Sequence, residues 1–164
     1  KADRIAQAMM LGPIWPKLDL GLESDEDILE QFVAHTPELE QEIRLVFSDL
    51  STIVREYEGS VDWIESLKAR GYHTNYGERI RREASKELSF LSHMDGGIMS
   101  YTVHLAKPDP AIYQTLLDRY GLKAEECVFL DDTVRNVEAA QALGIAGIVV
   151  TSQEQAKKEL ETLL

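Results

Sequence analysis

Apolar residues recur at helical spacing as far as Gly71, and from Gly97 onward they gather into short continuous runs separated by helical segments. In the first part Ser24 is placed to cap a helix whose Ile28, Leu29, Phe32 and Val33 share one face. Asp25, Glu26 and Asp27 fall in its first turn, where the helix dipole favours negative charge. Thr36-Pro37 opens a longer helix, and its stripe of Leu39, Ile43, Val46, Phe47, Leu50, Ile53, Val54 and Tyr57 keeps helical spacing for about five turns. Ser60 caps a third helix that buries Val61, Ile64 and Leu67 and stops at Gly71. Residues 1–11 form a weaker fourth helix, and Gly12 to Gly21, with Pro13, Trp15 and Pro16, reads as a loop.

The second part has a different rhythm. Ile98 to Val103 is extended in character, and Asp109-Pro110 is an N-cap followed by proline at the first helical position, starting a helix that ends at Gly121. Cys127 to Leu130 is a short apolar run, Thr133 caps a helix to Leu143, Gly144 ends it, and Ile145 to Val150 is the next buried strand. Ser152 with Gln155 forms a capping box for the last helix. Strands alternating with helices predict an α/β fold with a parallel, doubly wound sheet, in which ligands sit beyond the carboxyl ends of the strands.

Composition narrows the function classes. The 164 residues are 44% hydrophobic and 28% charged, as in an ordinary globular protein. Seventeen basic against 29 acidic residues give a net charge of −12, which repels phosphate backbones and anionic lipid, so neither nucleic acid nor a membrane is an expected partner. No apolar run approaches the ~20 residues of a membrane helix, and the first residues show no signal-peptide pattern, so a cytoplasmic protein is expected. The one cysteine, Cys127, supports neither an internal disulfide nor a multi-cysteine zinc site and reads as a buried residue beside a strand.

Candidate chemistry concentrates where strands end. Asp131 and Asp132 follow Val128-Phe-Leu130 directly, and two adjacent carboxylates raise each other's pKa unless they share a cation. Oxygen ligands of this kind suit Mg²⁺, although one aspartate capping the next helix and the other facing water accounts for the pair equally well. Lys107 stands ahead of Pro108-Asp109-Pro110, in an extended turn before a rigid helix start, where its ammonium either points at the crevice or is solvated. Thr74-Asn75 lies where a strand should end and offers a hydroxyl and an amide to an anion, or is merely a turn. His35, His73, His93 and His104 have no metal-ligand spacing, and Asp25-Glu26-Asp27 lacks a preceding strand and reads as a helix start. Trp15, His35 and Asp19 read as structural or solvated residues.

Three stretches together resemble the haloacid dehalogenase superfamily of hydrolases, in its helical-cap subgroup of sugar-phosphate phosphatases. Leu105-Ala-Lys-Pro-Asp-Pro-Ala-Ile-Tyr113 is similar to the family's lysine motif. Val128-Phe-Leu-Asp-Asp-Thr-Val-Arg-Asn-Val-Glu-Ala-Ala140 is similar to its acidic motif, and Trp63 to Tyr72 to the helix entering its serine/threonine strand. The resemblance implies a three-layer Rossmann-like core at residues 59–164 and a small four-helix cap at residues 1–58. It also implies a Mg²⁺-dependent phosphatase of a small phosphorylated metabolite, such as a sugar phosphate, working through a phospho-aspartyl intermediate. Asp131 and Asp132 would hold Mg²⁺, Lys107 would neutralise the phosphoryl group, and Thr74, with Asn75 beside it, would hydrogen-bond a phosphoryl oxygen.

Two departures accompany the likeness. The family carries its nucleophile in an Asp-x-Asp motif after a first strand ahead of the cap, and no such strand is among these residues. Gly71 to Asn75 also lacks about four apolar residues of the following strand. A parallel sheet without its middle strand leaves backbone groups unpaired at about 1–3 kcal/mol each when buried, so both strands are expected in the natural protein. Dehalogenase-type chemistry and a non-catalytic binding protein on the same fold are the alternatives.

Overall fold

A computed structural model describes residues 2–9, 11–49, 56–78 and 88–164. Its amino-terminal part is helical: α1 (Ala2–Met9), α2 (Trp15–Leu20), α3 (Asp25–His35) and α4 (Glu40–Ser48). The Ser24 hydroxyl accepts the Asp27 amide at 3.2 Å, fixing the start of α3. Ile28 and Phe32 on its inner face then bury among Met9, Ile14, Leu18, Leu39 and Ile43. Phe32 stands at the centre, 6.3 Å from the Trp15 ring and 6.2 Å from that of Phe47.

Two sequence expectations are corrected here. Gly12 to Gly21 is not all loop, because Trp15–Leu20 forms α2. Pro16 sits in the first turn, where its missing N–H has no intrahelical acceptor to lose, and Ile14 O accepts the Lys17 amide at 3.0 Å. The long helix is also shorter than its apolar stripe. Pro37–Leu39 is a single 3₁₀ turn, α4 ends at Ser48 as Asp49 adopts an extended φ of −146°, and Tyr57 is 63% exposed in a turn. Leu50, Ile53 and Val54 lie outside the described residues. Helix α5 (Ser60–Ala69) is capped by Gly59 in the left-handed conformation, and the Ser60 hydroxyl donates to Tyr57 O at 2.7 Å.

The remainder alternates strands and helices. Strand β1 (Asn75–Glu78) pairs in parallel with β2 (Gly96–Met99), Asn75 opposite Gly96, and β3 (Val128–Asp131) pairs in parallel with β4 (Ala146–Val149), Asp131 opposite Val149. Among the described residues no ladder joins the two ribbons. Extended structure stops at Met99, not Val103: Ser100–Val103 is a helical turn, α6, in which the Thr102 hydroxyl donates to Met99 O at 2.8 Å. Helices α7 (Pro110–Tyr120), α8 (Val134–Ala142) and α9 (Gln153–Leu160) follow, with the expected Asp109 cap and the Ser152–Gln155 capping box.

A common core holds the ribbons. Ile98 of β2, Ile112, Tyr113 and Leu117 of α7, Ala140 of α8 and Ile145 ahead of β4 form one buried cluster. Helix α8 lies so close to β4 that a side chain at Gly147 would meet Val137 Cγ1. Beside β2, the Tyr120 hydroxyl accepts from the Gly97 amide at 2.7 Å and donates to the Gly97 carbonyl at 3.0 Å. Cys127 is half-buried with Sγ 3.1 Å from Lys123 O, and burial pushes its thiol pKa up, away from reactivity. No described helix is long and apolar enough to cross a membrane.

Candidate functional site

Strand β3 delivers Asp131 to its carboxyl end, and the loop after α6 brings Lys107 to meet it. Lys107 Nζ lies 2.6 Å from Asp131 Oδ2, with the two side chains only 9% and 6% exposed. The lysine is fixed from both sides: the Asp109 amide donates to Ala106 O at 2.9 Å, and the Asp109 carboxylate accepts the Ala111 amide at 2.9 Å to begin α7. Its peptide bond to Pro108 is cis. Phe129 lies beneath the ammonium at 5.5 Å and meets Tyr113 edge-on at 5.2 Å, so the lysine rests on an aromatic floor.

The other carboxylate oxygen of Asp131 is equally committed. Oδ1 accepts the Thr133 amide and the Asn136 side-chain amide, each at 2.9 Å. The Thr133 hydroxyl makes no capping hydrogen bond at the start of α8, a correction to the expected cap; Asp131 fastens this helix start through the Thr133 amide and the Asn136 side chain. Asn136 is 5% exposed, and its backbone carbonyl takes the Tyr113 hydroxyl at 2.8 Å, tying α7 to α8. Sequence reasoning gave Asn136 no role. The available signal was a poor helix former on the inner face of the first turn of α8, five residues after Asp131.

Asp132 differs from its neighbour. It is exposed, and among the described residues its Oδ1 accepts only a long 3.3 Å hydrogen bond, from the Thr133 hydroxyl. The two aspartates thus divide: one is buried and held by three donors, the other faces outward at the same strand end.

Thr74 and Asn75 are not brought to this pair. Thr74 precedes β1 and Asn75 is its first residue, so both lie at the amino end of the β1–β2 ribbon. Lys107 is reached from the carboxyl end of β2, about 10 Å of strand away at ~3.3 Å per residue. Thr74 is engaged by Asp95. Its amide and hydroxyl donate to Asp95 Oδ2 at 2.7 and 3.2 Å, and its carbonyl accepts the Asp95 amide at 2.8 Å. Asn75 Oδ1 is buried with no hydrogen-bond partner among the described residues. Asp19 is buried in α2, and Trp15 packs on Phe32. Asp25 to Asp27 form the first turn of α3.

The Asp95 knot has a pH signature. The Thr74 amide, and after it the Lys68 ammonium 3.1 Å away, hold the Asp95 carboxyl below its usual 3.8 against the opposing effect of burial. A carboxyl depressed in the folded state contributes stability at neutral pH that is lost as pH falls through its folded value. The wild type should therefore lose stability more steeply than Asp95→Asn below the usual carboxylate value. Urea midpoints measured from pH 7 into the acid range check this; parallel profiles would count against it.

A buried lysine–aspartate pair with an outward carboxylate beside it, at the carboxyl end of parallel strands, marks an α/β protein with its ligand crevice at that end. The chain belongs to the haloacid dehalogenase-like hydrolases, whose family profile matches residues 14–144. It is 32% identical over 162 residues to acyl-CoA dehydrogenase family member 10 of Mus musculus, covering 93% of this chain and 15% of that protein. It is 31% identical over 142 residues to the phosphorylated carbohydrates phosphatase of Thermotoga maritima, covering 83% of this chain and 63% of that one. The chain thus spans less than two thirds of either relative. A HAD family enzyme of Bacteroides thetaiotaomicron superposes with a TM-score of 0.74 at 17% identity, over 97% of this chain and 82% of that one. The same enzyme in complex with magnesium and inorganic phosphate gives 0.71 at 18% identity, over 92% and 81%.

Proposed function

We propose that the protein is a Mg²⁺-dependent phosphatase of a small phosphorylated metabolite, with residues 1–58 acting as a cap over a core at 59–164. The observation that carries the reading is the Lys107–Asp131 pair with Asp132 facing outward beside it. One lysine against two aspartates leaves the strand end net negative. A divalent cation would reverse that sign and make the place attractive to a phosphate dianion. The donor set fits: Mg²⁺ typically takes one or two carboxylates and fills its shell with water and phosphate oxygens. Asp132 would hold it, while Asp131, held by Lys107, Thr133 and Asn136, fixes the strand end and approaches the ion directly or through water. When bound, the ion would supply charge neutralisation at the phosphoryl oxygens. Lys107 would add a second positive charge at a position set by Asp131 and the Asp109 turn.

The phosphatase named among the relatives and the magnesium–phosphate complex of a protein of like fold support this chemistry. A sugar phosphate is the substrate class favoured by the phosphorylated-carbohydrate relative. The aspartate nucleophile of the family belongs to an Asp-x-Asp motif after a strand, whereas Asp25-Glu26-Asp27 of this sequence opens helix α3. The assay therefore uses protein expressed from its complete reading frame. We expect turnover of p-nitrophenyl phosphate that EDTA abolishes and Mg²⁺ restores, with Asp132→Asn lowering kcat by roughly 10²–10³, the usual loss on removing one charge-stabilising group. Metal-independent turnover, or no turnover at all, overturns the proposal.

A further inference from the structure

Helix α2 ends at Gly21 with φ 62°, and α6 ends at His104 with φ 54°. Among the described residues His104 alone has a positive φ without being glycine, a conformation that a residue bearing Cβ keeps only when its surroundings hold it. The surroundings are the end of α2. His104 Nδ1 lies 2.8 Å from Leu20 O, and because a carbonyl oxygen only accepts, Nδ1 is the protonated nitrogen that donates. One residue further on, Gly21 rests against Tyr101 of α6, so that a Cβ there would stand 2.8 Å from Tyr101 Cβ. From His104 the chain reaches Lys107 in three residues, held by the Leu105 amide on Ser100 O at 3.3 Å and the Asp109 amide on Ala106 O at 2.9 Å. Ser100, where this path begins, is fully buried.

We propose that His104 is a positioning residue that ties the α2–Gly21 turn of the helical part to the loop carrying Lys107, so that both are seated together. Displacing α2 from α6 breaks the Leu20 hydrogen bond and leaves the left-handed His104, which aims Leu105 to Lys107, held only by the backbone bonds of its own and the Leu105 amide to Ser100 O. The seating of the helical part thereby reports to the Lys107–Asp131 pair. The coupling stands on the geometry alone; its consequence for turnover rests on the phosphatase reading.

Hydrogen exchange with His104→Gly, His104→Asn and Gly21→Ala tests it. Glycine removes the imidazole while relieving the backbone, so a purely local conformational role predicts slower or unchanged exchange. The coupling predicts faster exchange, by about tenfold or more, at the Gly21 amide on one side and the Leu105 and Asp109 amides on the other. Asparagine tolerates the left-handed region and keeps a donor at the δ position, and should restore wild-type exchange at all three. Gly21→Ala, whose Cβ would meet Tyr101, pushes α2 and α6 apart at their contact and should also accelerate Leu105 and Asp109. The Ala146 amide, bonded to Cys127 O at 3.0 Å, monitors global opening. Acceleration on one side only, or equal acceleration at Ala146, would overturn the proposal. With p-nitrophenyl phosphate, His104→Gly should lower kcat and His104→Asn should recover it. Coupled exchange without any phosphatase activity would retain the tie and refute the phosphatase reading, whereas activity with uncoupled exchange would do the reverse.

Discussion

Replacing Lys107 by alanine is expected to destabilise the protein by about 3 kcal/mol, the lower end of the ~3–5 kcal/mol seen when one partner of a buried ion pair is removed. The variant leaves the buried Asp131 side chain without its counter-charge. The lower end applies because Oδ1 keeps two donors, the Thr133 amide and the Asn136 side chain, which go on stabilising the carboxylate. Against a typical domain stability of about 5–15 kcal/mol this is a large fraction. Urea unfolding measures it. The double variant Lys107→Met with Asp131→Asn should recover most of the loss, since both charges are removed while an amide oxygen still accepts the Thr133 amide and the Asn136 side chain. A loss below about 1 kcal/mol for the single variant is what an exposed pair would give, and would mean that water reaches the site.

Phe32→Ala carries the second large effect. Phe32 is 1% exposed and sits between Trp15 and Phe47, so truncation removes buried area and leaves a cavity, together costing about 3–5 kcal/mol. The location of the damage distinguishes it from Lys107→Ala. The cluster around Phe32 is built from residues 9 to 43 and shares no member with the cluster around Ile98 and Ala140. Amides of α3 should therefore lose protection before those of the β3–β4 ladder, and hydrogen exchange at partial denaturation reads the order. Simultaneous loss throughout would show that the two clusters unfold as one unit.

What the sequence disclosed was mostly local chemistry. Ser24, Asp109-Pro110 and the Ser152–Gln155 pair are caps whose partners lie within a turn, and each was legible from spacing alone. The position of Asp131 at the end of a buried strand followed from a continuous apolar run meeting two carboxylates. Interactions across long sequence separations were the ones missed. The turn at Gly71 places Thr74 where a strand should end; its amide is instead taken by Asp95, 21 residues away, and the strand begins at Asn75. Helix α2 was hidden by Pro13, Pro16 and two flanking glycines, residues that break a helix interior but suit its ends. The separate fates of Asp131 and Asp132 required the third dimension, because adjacent identical residues on a strand end carry no mark of which one turns inward.

Tyr120 carries a consequence for assembly. A strand whose backbone groups stay open along one margin is a template for another chain, and many proteins guard such margins with a lysine or a bulge. Here an aromatic hydroxyl occupies both the donor and the acceptor of Gly97, and its ring lies where any side chain at Gly96 would have to go. A second copy adding a strand on that flank of β2 would have to evict the tyrosine from both contacts, so lateral growth of the β1–β2 ribbon is closed there by one residue of α7.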